Sequence, residues 1–240
     1  MKSKVMIAAH FIFLLLFVSV QISAQITEGS LIRGSKDAVY LYESGKARWI
    51  SSDNIFKLLG FDYKNVKKIS DTQLNKLPKG WLIVRGFGNP VYIINYGTPL
   101  KVSDWNILMK LGFEKTNIRQ VQEEKLKKIP QQPLLVKGSG APIYLINGEK
   151  ACWIQSEKIL KAMGWDIKTA VAVSDDALNK FPKTQFLVRG GGDKVYLVDR
   201  EKKFWISNAE LFNRLGYDWN AVLTVSDAQL NKIPEGVPIK

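Results

Sequence analysis

Four basic residues open the chemical reading of this chain. Arg33, Arg85, Lys137 and Arg189 lie 52 residues apart, each directly before a glycine. The glycine starts a Gly-rich or polar turn: GSKDA, GFGNP, GSGAP or GGGDK. Backbone N–H groups in such a turn, beside a fixed cation, suit an anion. The plainer use of these residues is a solvated charge at a strand end. Trp49, Trp153 and Trp205 form a second set at matching positions, with Lys101 in the second unit's place. A position that takes Trp and Lys is not deeply buried, so the indoles either stack on a sugar ring or lie between units. The third set is acidic: Asp71, Glu123, Asp175 and Asp227. Each stands near the start of a short helix, where a carboxylate favours exposed N–H groups, and is read as a cap.

Much chemistry is excluded. The chain has one cysteine, Cys152, and one histidine, His10. No intramolecular disulfide can form. If His10 is lost on export, no His-containing or multi-Cys zinc site remains, and no Ser-His-Asp or Cys-His set. Gly-x-Gly at Gly86–Gly88, Gly138–Gly140 and Gly190–Gly192 sits in hairpins, not between a strand and a long helix, so it is no nucleotide fingerprint. No catalytic residue, cofactor or metal is expected. Cys152 takes the place of Ala47 and Phe204 in its register, which points to packing.

The elements that position these sets come from a repeat. Tyr40, Tyr92, Tyr144 and Tyr196 keep the 52-residue spacing, as do Gly60, Gly112, Gly164 and Gly216, and Pro78, Pro130, Pro182 and Pro234. The units are 27–78, 79–130, 131–182 and 183–234, and the tail 235–240 starts a fifth first strand. Each unit reads as an apolar strand, a turn, a Val-Tyr-Leu-type strand, a hairpin and a third strand. A short helix ending at the glycine follows, then an extended piece and a second short helix stopped by proline. The fold class is a β-rich α+β tandem-repeat protein, with a three- to four-stranded meander and two short helices per unit. The second strand is apolar or aromatic on both faces and needs cover on both, so the units must stack. They form either a four-bladed, propeller-like ring or an open array. In a ring, the tail would complete the first unit's sheet; otherwise it is left over from duplication.

Apolar residues make up 46% of the chain and the formal charge is +13. Lys2 and Lys4, the apolar run 5–20 and small Ala24 fit a signal peptide over residues 1–24. Cleavage there leaves 33 bases against 22 acids, or +11; retention would make a membrane anchor.

The pattern LVRGGGDKVYLVDREKKFWISNAELFNRLGYDWNAVLTVSDAQLNKIP resembles tandem repeats of exported bacterial cell-envelope proteins. That resemblance spans residues 29–234 and implies an accessory binding or surface module without established chemistry. A looser likeness to hemopexin-type repeats, carried by Tyr144, Gly148 and Trp153, favours a ring. The expectation is a secreted or envelope protein, not an enzyme, that binds an anionic envelope polymer or a surface protein through the basic and tryptophan sets. No specific nucleic acid is expected, and a membrane only if the signal is kept. The rivals are a self-associating surface protein and a carboxylate or Ser-Lys hydrolase. Against the hydrolase, nearly every notable polar residue recurs four times.

Overall fold

The computed structural model describes residues 26–88, 90–114 and 118–240. The segment 1–24, read as an export signal, lies outside the described residues. No described helix is long and apolar enough to cross a membrane.

The first unit shows how the repeat folds. β1 (Leu31–Arg33), β2 (Val39–Glu43) and β3 (Lys46–Ile50) form the antiparallel meander. Ser44 and Gly45 turn the β2–β3 hairpin with positive φ at both residues, which matches the twist of paired strands. Ser52 caps α1 (Asp53–Leu58) by accepting from the Ile55 N–H, and left-handed Gly60 follows its end. Ile55, Phe56 and Leu58 are its buried face. After a 3-10 turn, β4 (Val66–Lys68) pairs parallel with β1. α2 (Asp71–Lys76) then runs to the proline.

The sequence accounts for four of these strands, but the sheet has five. Lys79–Gly80, the two residues between Pro78 and Trp81, form β5 and pair parallel with Ala47 and Arg48 of β3. The strand order is β4-β1-β2-β3-β5. Gln132–Pro133 and Lys183–Thr184 do the same for the second and third sheets. Each unit thus lends its first residues to the sheet before it. The tail repeats this act in its own neighbourhood: Glu235 bridges Lys203 and Ile239 bridges Ile206. The tail therefore closes the edge of the fourth sheet, not the first. The local reason is that Glu235 directly follows Pro234 and already lies beside its own third strand, as Lys79 does after Pro78.

Stacking makes the cores. One cluster joins Leu41, Ile55 and Phe56 of the first unit with Val84, Tyr92 and Leu126 of the second. The next joins Ile93 and Leu108 with Leu134, Val136 and Phe181. The third joins Leu145, Leu160 and Met163 with Phe186, Val188 and Leu230. Two smaller clusters lie at the ends: Ile32 and Leu74 in the first unit, Leu187 and Phe212 in the fourth. Cys152 packs inside the third joint, and burial pushes its thiol up to about 11.

Candidate functional site

The basic corners already hold an anion, and it is the protein's own. The Ser35 N–H donates to Asp71 Oδ1 at 2.8 Å, and the Ser35 hydroxyl to Oδ2 at 2.6 Å. The same bond recurs from Phe87 N–H to Glu123 (3.0 Å), Ser139 N–H to Asp175 (2.9 Å) and Gly191 N–H to Asp227 (2.9 Å). This corrects the reading of the four acids as caps. The caps are Ser70, Ser174 and Ser226, one residue earlier, and the acids reach back to the turn. It also explains the glycines. A Cβ at Gly34, Gly86, Gly138 or Gly190 would lie 2.1, 1.7, 2.0 or 2.1 Å from the carboxylate. Ser35 and Ser139, by hydroxyl first and N–H second, hold the Asp71 and Asp175 carboxyls below their ordinary value of 3.8.

The sequence-derived cations are not brought together. Arg33 lies 3.9 Å from Asp37, Arg189 donates from Nε to Thr224 Oγ1 at 3.1 Å, and Arg85 is exposed on the second sheet. Nor do the tryptophans share one environment. Trp153 is 49% exposed, Trp205 lies under Lys194 at 4.7 Å, and Trp49 meets Tyr96 edge-on at 5.2 Å.

One member of each set, Lys137 and Trp49, does meet in a cleft of about 490 Å³. Three units build it. The first supplies Tyr40 and Trp49, the second Lys79, Trp81 and Tyr96, the third Lys137 and Lys168. Among the described residues, no carboxylate lines it. Lys79 donates from Nζ to the Leu74 carbonyl at 2.7 Å and lies 5.3 Å from the Tyr40 ring centre, so its charge is fixed at the wall. Buried Arg48 donates to the Trp81 carbonyl and lies 3.5 Å from Glu43, which fixes the backbone under that indole. Buried Asn95 donates to the Thr169 carbonyl at 3.1 Å, tying the hairpin before Tyr96 to the turn that carries Lys168. Aromatic faces beside three lysines, one of them fixed at the wall, suit a ligand with apolar ring faces and negative charge.

The cleft differs from the next groove although its scaffold is repeated. One unit further on, the matching groove has Lys101 for Trp49, Pro133 for Trp81 and Gly148 for Tyr96, and shrinks to about 220 Å³. Reading for recurrence therefore finds Trp49 and Lys137 but passes over Trp81, Tyr96, Lys79 and Lys168. The signal that marks Trp81 and Tyr96 is departure from the repeat. Position 81 reads Trp81, Pro133, Gln185 and Val237 in register, and position 96 reads Ser44, Tyr96, Gly148 and Arg200.

No protein-family model and no curated protein matches the chain. Among solved structures, it is similar to a chain of the periplasmic assembly from the ESX-5 inner membrane complex. The identity is 10%, over 91% of this chain and 95% of that one, with a TM-score of 0.21. A chain of an intact ESX-5 inner membrane complex gives 11% identity, over 91% and 81%, with a TM-score of 0.20.

Proposed function

We propose that the chain is an exported, non-enzymatic envelope or extracellular protein whose cleft binds an acidic glycan. The observation that carries this reading is the cleft in which Trp49, Trp81 and Tyr96 are set among Lys79, Lys137 and Lys168, with no carboxylate among the described lining residues. Indole and phenol faces stack on sugar rings, and ammonium groups pair with carboxylate or phosphate substituents. The apolar, lysine-flanked N-terminus supports export.

The units, on this reading, form an open array. Two features support that over a ring: the tail pairs with the fourth sheet, and the two end clusters share no residue.

The test is a fluorescence titration with tetragalacturonic acid, neutral chitotetraose and a short oligothymidylate. The acidic sugar should bind, weaken with added salt, and outcompete the other two. Gln at Lys79, Lys137 and Lys168 together should cost about ten-fold in affinity, as three partly exposed charge contacts imply. Gln at Lys76, Lys180 and Lys232, exposed and outside the cleft, should cost less than about two-fold. Equal losses would reduce the binding to net charge. Preference for the oligonucleotide would replace the glycan with a single-stranded nucleic acid.

A further inference from the structure

Every internal joint has a forward side, from the unit carrying the first-type helix, and a backward side, from the next unit with its second-type helix. The described residues end on one of each. Among them, no further unit stacks on the fourth unit's forward face, and only the tail's Ile239 packs against its cluster. Leu41, Ile93 and Leu145 are 0–1% exposed inside the joints, whereas Leu197 at the same place is half-buried. Leu111 and Met163 are buried, and their counterpart Leu215 is 41% exposed. The first unit's backward face mirrors this. Tyr42 and Leu77 are half-buried where Ile94, Ile146 and Val198, and Ile129, Phe181 and Ile233, are buried.

At the polar rim one charge offset recurs in the first and third joints, and the first joint adds two further contacts. Lys46 pairs with Glu114 at 3.1 Å, and Lys150 with Asp218 at 2.6 Å, each 68 residues on. Glu43 pairs with Arg119, 76 residues on, at 3.0 Å. The Gly97 N–H donates to Ser51 Oγ at 2.7 Å. Continued past the fourth unit into the first unit of another copy, the same offsets set Lys202 against Asp62, Asp199 against Lys67, and Ser207 against the Gly45 N–H. Both charge pairs have opposite sign in the order the offsets require. Lys202, Asp62 and Lys67 are exposed and belong to no ion pair among the described residues; Asp199 pairs with its neighbour Arg200, at 3.7 Å, and its charge also acts on Tyr217.

We propose that the forward face of the fourth unit docks the backward face of the first unit of a second copy, so that copies associate head to tail. The contact is heterologous, with different surfaces on the two sides, so it propagates into chains. The occupant is another copy because the exposed face continues a joint the molecule makes three times, with matching charges at its rim. The inference rests on the open-array reading.

The test is the molar mass of the purified full chain by light scattering, over a concentration series. A forward variant carries Asp199→Lys and Lys202→Glu; a backward variant carries Asp62→Lys and Lys67→Glu. The wild type should grow with concentration. Each variant alone opposes like charges and should stay one chain in size; the forward variant should keep its melt, and the backward variant should lose only the Asp62 cap on the Lys64 N–H. An equimolar mixture restores opposite signs at every joint and should grow again. Three results overturn the proposal: a wild type that stays single up to about 1 mM, variants that associate as it does, or a mixture that fails to recover. Small-angle scattering of the single chain separates the two layers. An elongated particle that never associates removes only this inference, whereas a compact ring with its ends in contact removes the open array as well.

Discussion

The three leucines at one repeat position give a stability test of the architecture. Leu41 and Leu145 are 0% and 1% exposed inside joints, and Leu197 is half-buried on the end face. Leu→Ala at a fully buried site costs about 2–5 kcal/mol, the lost transfer energy plus the cavity left behind. At Leu197 the transfer term is reduced by partial exposure, and the truncation opens to solvent without enclosing a cavity. The cost there is roughly 1–2 kcal/mol. At about 2–4 °C per kcal/mol for a chain of this size, a 3 kcal/mol loss lowers the melting temperature by about 6–12 °C. Calorimetry in dilute solution, with urea titration as a second measure, reads the series. Leu41→Ala and Leu145→Ala should fall together, and Leu197→Ala should fall by less than half as much. Equal losses at all three positions would mean that the fourth unit's face is covered within the same molecule, as in a closed ring.

The acid corners predict a pH dependence. Asp71 and Asp175 titrate below 3.8 in the folded chain, so their stabilising effect is complete above that value and is lost as pH falls through the lowered one. Melts taken from about pH 5 down to about pH 2 should show wild type losing its advantage over an Asp71→Asn, Asp175→Asn variant; an advantage that grows on acidification would contradict the corner. Cys152, buried with its thiol pushed up to about 11, should resist iodoacetamide at pH about 8 until urea unfolds the chain, so rapid native labelling would refute its packing role. Gln at Arg33, Arg85 and Arg189, outside the cleft, should leave glycan affinity within about two-fold, measured by the same fluorescence titration.

The repeat was legible because its marks are backbone requirements. Gly60 and its three counterparts adopt left-handed φ after a helix, and the second strand's apolar faces need cover on both sides. The fifth strand was not legible. Lys79 and Gly80 carry no strand signal, and they pair only because Pro78 delivers them beside β3. The acids near the helix starts were visible, but not their target, since the Asp71–Ser35 bond spans 36 residues. Half of the cleft escaped for a related reason. Trp49 and Lys137 belong to different units and different sets, and only stacking places both beside Trp81, a residue the repeat does not keep.

The seven tryptophans allow the most direct measurement of where ligand binds. Each gives one indole N–H signal in a nitrogen–proton correlation spectrum, assignable by single Trp→Phe variants. On titration with tetragalacturonic acid, the signals of Trp49 and Trp81 should move together and saturate together, while Trp105, Trp153, Trp165, Trp205 and Trp219 stay in place. Movement of Trp49, Trp153 and Trp205 as a set, with Trp81 unchanged, would contradict the cleft and assign binding to the repeated position instead.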